Sequence, residues 1–216
     1  QMTPGLIIGA VLERASPFDA WLCADGSGLD ALAAGSVVGT SSLRRQSQLL
    51  ARRPDLRVES LRGNVNTRLE KLEGGGYHAI ILATAGLQRL GLGDRITAEI
   101  PAPEWLPAPG QGVIGVQCRD GDEEIRPFIS DLDHAPTRLL TRAERRLSER
   151  LGGSCQVPLA AFAQMKAGEA IVLHALVGSS DGRSILRSEA SCASAAPAAA
   201  ADEAAEDLLA QGADAI

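Results

Sequence analysis

Between residues 36 and 91, apolar runs of strand length alternate three times with helical patterns, which limits the chain to a few folds. Val37-Val38-Gly39 reads as a strand, 42–53 as a helix ended by Pro54, 56–61 as a strand, and 65–73 as a helix stopped by Gly74-Gly75-Gly76. A strand over 79–83 and a short helix over 84–90, closed by Gly91, complete the series. Strands and helices interleaved at this spacing imply βαβ units on a parallel sheet. Such sheets bind ligands beyond the carboxyl ends of their strands, where the following helices begin. Thr40-Ser41-Ser42, Arg62-Gly63-Asn64 and Thr84 fall at those ends, so segments twenty residues apart are expected to meet.

The same region gathers positive charge. Residues 39–68 hold seven arginines against two acids, in a chain whose formal net charge is −6. A GC-rich genome accounts for a general preference for arginine over lysine, but not for this clustering. Arg44 and Arg45 fall in the first turn of a helix, where cations oppose the macrodipole unless an anion sits between them and the helix end. Guanidinium forks beside small hydroxyl residues and free backbone N–H groups suit carboxylates or phosphates. Ser41, Ser42, Arg44, Arg45, Arg62 and Arg68 are therefore candidate ligands for an anion with several negative groups. Arg52, Arg53 and Arg57 lie at the far end of their helix and read as solvent-facing or as stabilising the helix C-terminus.

Composition excludes some classes. Aromatic residues make up 3% of the chain and the pI is about 5.1, which argues against nucleic acid as a partner. No apolar run approaches the roughly 20 residues of a membrane-spanning helix. The four cysteines show no C-x-x-C pairing, and His78, His134 and His174 are scattered, so neither a metal site nor a catalytic triad is indicated. Cys118 and Cys23 read as packing. Cys155 follows Gly152-Gly153-Ser154 in an exposed loop and is the candidate nucleophile, although a lone cysteine is more often inert. Elsewhere the patterns indicate a strand over 5–12, a proline-rich connector over 101–109, a strand over 110–118, and helices over 125–132 and 137–151. A hairpin over 170–191 turns at Ser180-Asp181-Gly182, and a helix over 198–211 has an apolar side at Leu208 and Leu209.

Five segments together resemble the porphobilinogen deaminase (hydroxymethylbilane synthase) family. They are V-V-G-T-S-S-L-R-R-Q, S-L-R-G-N-V-N-T-R-L, A-I-I-L-A-T-A-G-L-Q-R-L-G, L-P-A-P-G-Q-G and L-G-G-S-C-Q-V-P, collinear along the chain. The resemblance implies a transferase of tetrapyrrole biosynthesis, which condenses four porphobilinogen molecules head to tail into hydroxymethylbilane, releasing ammonia each time. It implies one dipyrromethane cofactor, joined through a thioether to Cys155. Thr40, Ser41, Ser42, Arg44, Arg45, Arg62 and Arg68 would bind cofactor carboxylates. Arg44, Arg45, Arg62, Arg68 and Arg89, with Gln111 at an interdomain crossing, would bind porphobilinogen and the growing oligopyrrole.

The resemblance also implies a fold class: α/β, with lobes like those of periplasmic binding proteins and a small C-terminal α/β domain. Its division here would be 1–15 as a remnant of domain 1, 16–108 as domain 2, 109–132 as a return segment to domain 1, and 133–216 as domain 3. The family's catalytic aspartate lies in an H-S-x-K-D-V-P motif preceding the part that resembles residues 2–12, upstream of Gln1. It is absent from this sequence, so the catalytic residue is unknown and the chain alone is expected to be an inactive fragment. Replacing Arg44 or Arg62 is expected to spare the fold. The expected setting is cytoplasmic, with organellar targeting left open by a chain that starts at Gln1. The chain is expected to be a monomer, with no metal, nucleic acid or membrane partner. The competing reading is a two-lobed anion-binding module without catalysis.

Overall fold

A computed structural model describes residues 3–152, 158–166 and 170–216. β1 (Leu6–Val11) and β2 (Asp19–Cys23) precede the alternating region. There β3 (Val37–Gly39), α1 (Leu43–Arg52), β4 (Arg57–Glu59), α2 (Val65–Glu73), β5 (Ala79–Ala83) and α3 (Thr84–Arg89) follow in the expected order. β6 (Ala98–Ile100), β7 (Gly115–Arg119), α4 (Ile125–Ser130) and α5 (Ala135–Arg150) come next. The C-terminal part holds β8 (Leu159–Lys166), β9 (Ala170–Gly178), β10 (Ile185–Ala193) and α6 (Pro197–Ala210).

The alternating region builds a sheet of order β4-β3-β5-β2-β6. β3 runs parallel to β4 and β5, as the βαβ pattern requires. Its two faces bury separate cores, one with Trp21, Val38, Leu49, Ile81 and Trp105 beneath α1, the other with Leu22, Leu61, Leu69, Ile80 and Leu87 beneath α2 and α3. Burial on both faces explains the unbroken apolar run of β5. β2 and β6, absent from the sequence reading, make the sheet mixed: β2 is antiparallel to both β5 and β6. Because β2 runs against its neighbour, its first residue, Asp19, pairs with the last residue of β5, Ala83. A carboxylate thereby arrives at the edge where β3, β4 and β5 end.

β1 and β7 pair antiparallel as a separate two-stranded sheet, from Leu6↔Arg119 to Val11↔Gly115. The strand expected over 110–118 begins only at Gly115, because the residues before it form a turn. Gly110 and Gly112 adopt φ of 72° and 81°, a region that only glycine enters freely. A Cβ on Gly112 would also lie 2.6 Å from the Ser16 carbonyl oxygen. This turn places Gln111 against the start of β2.

β8, β9 and β10 form an antiparallel sheet with β9 at its centre. The β9–β10 hairpin turns where expected, with Ser179 N–H donating to Ser184 C=O at 2.8 Å. The sequence reading misses β8, because L-A-A-F-A-Q-M-K is rich in residues of low strand propensity. One face packs under α5 and α6 through Leu147, Leu173, Ala201 and Leu208. The apolar side of α6 consists of Leu208 and four alanines, whereas Leu209 is 39% exposed and lies off it. The opposite face meets the connector through Leu106, Ala160 and Leu176. The molecule is thus α/β, with a parallel-containing central sheet and a small C-terminal α/β unit.

Candidate functional site

The strand-end loops do converge. Thr40 N–H donates to Glu59 C=O at 3.0 Å, and the Ser41 hydroxyl lies 2.9 Å from both the Ser60 hydroxyl and the Leu61 carbonyl oxygen. Thr40 Oγ1 accepts from Ser42 N–H, and Ser42 caps α1 by accepting from Arg45 N–H. In the adjacent loop Asn64 caps α2 through Thr67 N–H, and Gly63 takes a φ of 122°. Arg62 is exposed, and Arg68 is half-buried with its Nε donating to the Gly63 carbonyl at 2.8 Å. Among the described residues neither has an acidic partner. Two cations near helix beginnings, with no described acid to neutralise them, form the open layer of the site.

Beneath it lies a closed layer. Arg44 and Arg45 are only 5% and 9% exposed, and both converge on Asp19, which is fully buried. Arg44 reaches it with Nη1 at 2.7 Å and Nη2 at 3.2 Å; Arg45 with Nη2 at 2.8 Å and Nε at 3.0 Å. Trp105 Nε1 adds a donor at 2.7 Å, and Gln111 Nε2 another at 3.0 Å. Burial pushes the Asp19 carboxyl up, but the Arg44 and Arg45 charges and hydrogen bonds outweigh it and hold it well below the ordinary carboxylate range. Burial lowers the Arg44 guanidinium, against the pull of Asp19. Two guanidinium groups against one carboxylate leave one net positive charge under the N-terminus of α1. That excess adds to the helix dipole and to the open arginines above.

Gln111 joins this layer to a second buried carboxylate. Its side-chain oxygen accepts from Arg44 Nη2 at 3.2 Å, and its backbone carbonyl accepts from Arg14 Nε at 3.0 Å. Arg14 in turn grips Glu144 of α5 at 2.6 and 3.2 Å. Glu144 also accepts from Gly110 N–H at 2.7 Å and Ala163 N–H at 2.9 Å, tying the turn, α5 and β8 together. Burial pushes its carboxyl above the ordinary range, with Arg14 and the two N–H groups pulling against it.

Sequence reasoning missed Asp19, Trp105, Arg14 and Glu144. An acidic residue opening the apolar run D-A-W-L-C was the available sign of Asp19. Arg89, in the last turn of α3, is exposed and makes no described contact with the other candidates. Cys155 lies outside the described residues. Arg52 and Arg53 pair with Asp30 and Asp55, away from the strand ends. Cys23 is not pure packing: its half-exposed thiol donates to Asp25 at 3.1 Å, and burial together with that carboxylate raises its pKa. No helix among the described residues is long and apolar enough to cross a membrane.

The donors at the open edge are guanidinium, hydroxyl and amide groups with excess positive charge, which suits a ligand carrying several carboxylates. Comparison with known families agrees. Residues 1–127 match the model of the porphobilinogen deaminase dipyrromethane cofactor-binding domain, and residues 139–210 match that of the porphobilinogen deaminase C-terminal domain.

Proposed function

The chain belongs to the porphobilinogen deaminase family of tetrapyrrole biosynthesis, and on that premise we propose that it serves the stepwise deaminating condensation of four porphobilinogen molecules to hydroxymethylbilane. The observation that carries the reading is the imbalance of charge at the strand ends. Arg62 and Arg68 are not neutralised by any described acid, and the buried layer beneath them keeps one positive charge in excess. A dipyrromethane fits this donor set because its acetate and propionate arms present several carboxylates. When bound, it supplies the primer to which the first porphobilinogen ring is joined.

The chain's own residues bind and align. Arg62 and Arg68 take ring carboxylates from the open side, with the Ser42 hydroxyl donating at the same edge and Ser41 fixing the loop through its bond to the Leu61 carbonyl. Arg44 and Arg45 act from below, where their charge raises the affinity of the edge for anions while Asp19 fixes their positions. Gln111 holds the crossing between the first sheet and the β1–β7 pair, and Arg89 is assigned to the outer part of the substrate path. Fixing rings by paired charges reduces the entropy lost at each addition and compensates the growing negative charge. Cys155 is assigned as the covalent attachment point. The H-S-x-K-D-V-P carboxylate is not among these 216 residues, so they account for binding and registration and not for proton or charge handling at the reacting carbon. The proposed division is residues 16–108 as the anion-binding lobe and 133–216 as the cofactor-carrying unit, with 1–15 and 109–132 forming part of a further lobe.

The test is chemical. The complete protein should give colour with an aldehyde reagent specific for pyrroles and show the added mass of a dipyrromethane, and Cys155→Ala should show neither. A colourless protein whose mass differs from that of the variant only by the cysteine-to-alanine change would overturn the reading and leave the anion-binding module without catalysis.

A further inference from the structure

α5 carries guanidinium groups to a second place, away from the strand ends. Arg138, Arg142 and Arg145 recur at spacings of four and three, which sets them along one side of the helix. All three line a cavity of about 230 Å³ between α5, β1 and the turn that holds Gln111. Arg138 is already engaged. It donates to Asp133 at 2.7 and 2.8 Å and to the Gly9 carbonyl at 2.9 Å. Farther along the helix, Arg146 and Arg150 both reach Asp202, at 2.9 and 2.8 Å.

Arg142 and Arg145 differ from these neighbours. Both are exposed and lie where this cavity adjoins a second hollow lined by Arg146 and Glu149, and among the described residues neither forms an ion pair. Glu144, which lies between them in sequence, is fully buried and taken up by Arg14, Gly110 N–H and Ala163 N–H. Like charges three residues apart on a helix repel, and an anion between them would offset that cost. The facing wall is apolar, formed by Ile8, Val11 and Val113. A ligand matching both walls combines a flat apolar body with carboxylate arms. At this volume, below the roughly 300–1,000 Å³ of drug-sized pockets, it is a single small ring.

We propose that this cavity is an accessory subsite for one carboxylated pyrrole, its acid arms held by Arg142 and Arg145 and its ring laid against Val11 and Val113. The assignment of pyrrole rather than another aromatic acid rests on the function proposed above. The subsite belongs to the helix that leads directly into the segment bearing Cys155, so a ring held here would sit on the element assigned to the tether.

Methyl NMR of the protein titrated with porphobilinogen separates the two readings. Ile8 and Val113 report on the accessory cavity, and Leu61 and Val65 on the strand-end site. Both sets are expected to shift. In an Arg142→Gln/Arg145→Gln variant the apparent Kd read at Ile8 and Val113 should rise about tenfold or more, with Leu61 and Val65 unchanged. Shifts confined to Leu61 and Val65 would overturn the subsite and leave the proposed function standing. Shifts confined to Ile8 and Val113 would support the subsite and count against the strand-end site. No shift at either set would overturn both. Shifts at Ile8 and Val113 that survive the double substitution, or that inorganic phosphate reproduces at equal concentration, would also overturn the subsite.

Discussion

Arg44, in the first turn of α1, and Arg62, in the loop before α2, stand eighteen residues apart at the same sheet edge, yet their charges are used differently. Arg44 is 5% exposed and locked to Asp19, the Leu106 carbonyl and Gln111. Arg62 is exposed, with no described acid near it. The difference shows how an anion site can be both rigid and open. A buried pair fixes the loop geometry and keeps a residual positive charge, and exposed arginines on that frame remain available to a ligand. Buried charges cost desolvation, so the closed layer is stable only while all partners are present.

Breaking the closed layer should have the largest effect. Asp19→Ala would strand two buried guanidinium groups and is expected to cost about 3–5 kcal/mol, read from urea or thermal unfolding. An unchanged midpoint would mean that the two arginines find other partners at no cost. Arg44→Leu should also lower the unfolding midpoint substantially. The expectation that its replacement spares the fold does not survive the burial of this side chain against Asp19. Arg14→Ala leaves Glu144 buried and unpaired, and a loss of about 3 kcal/mol is expected, together with loosening of the turn around Gln111.

Acid titration sharpens the contrast between the two buried carboxylates. The Asp19 pKa is depressed, so its contribution is complete above its ordinary value of 3.8 and is lost only as pH falls through the lower folded value. The stability gap between wild type and Asp19→Asn should therefore stay constant from neutrality to about pH 4 and narrow only in stronger acid. Glu144 is raised, so its protonated form favours the folded state. The stability of wild type relative to Glu144→Gln should be greatest below 4.5 and decline as pH rises through the folded value. The smallest structural effect belongs to the open layer: Arg62→Leu should leave the unfolding midpoint in place and weaken porphobilinogen binding about tenfold, as measured by calorimetry.

Much of the architecture was legible because it depends on local patterning. β3, α1, α2, β5 and the β9–β10 hairpin follow from apolar period, caps and glycine stops within single segments. β2 and β8 were not legible. Asp19–Cys23 is short, and Leu159–Lys166 is alanine-rich, so neither shows the alternation or branching that marks a strand; pairing with β5 and β9 fixes them. The site divides the same way. That Ser41 and Arg62 would share an edge followed from parallel topology. That Arg44 and Arg45 would be buried on Asp19 did not, since the carboxylate comes from an antiparallel strand whose direction no local signal encodes.

The sequence by itself determined the family, the βαβ lobe, and the gathering of arginines at strand ends, because these are written in contiguous motifs and in periodicity. Only the tertiary structure decided which arginines are free. Arginines of one chemical type become frame or ligand-binding groups according to whether a distant carboxylate reaches them. Asp19 reaches Arg44 and Arg45 across twenty-five and twenty-six residues, and no described acid reaches Arg62, Arg142 or Arg145. Charge compensation depends on distance in space, which the order of residues along the chain does not specify.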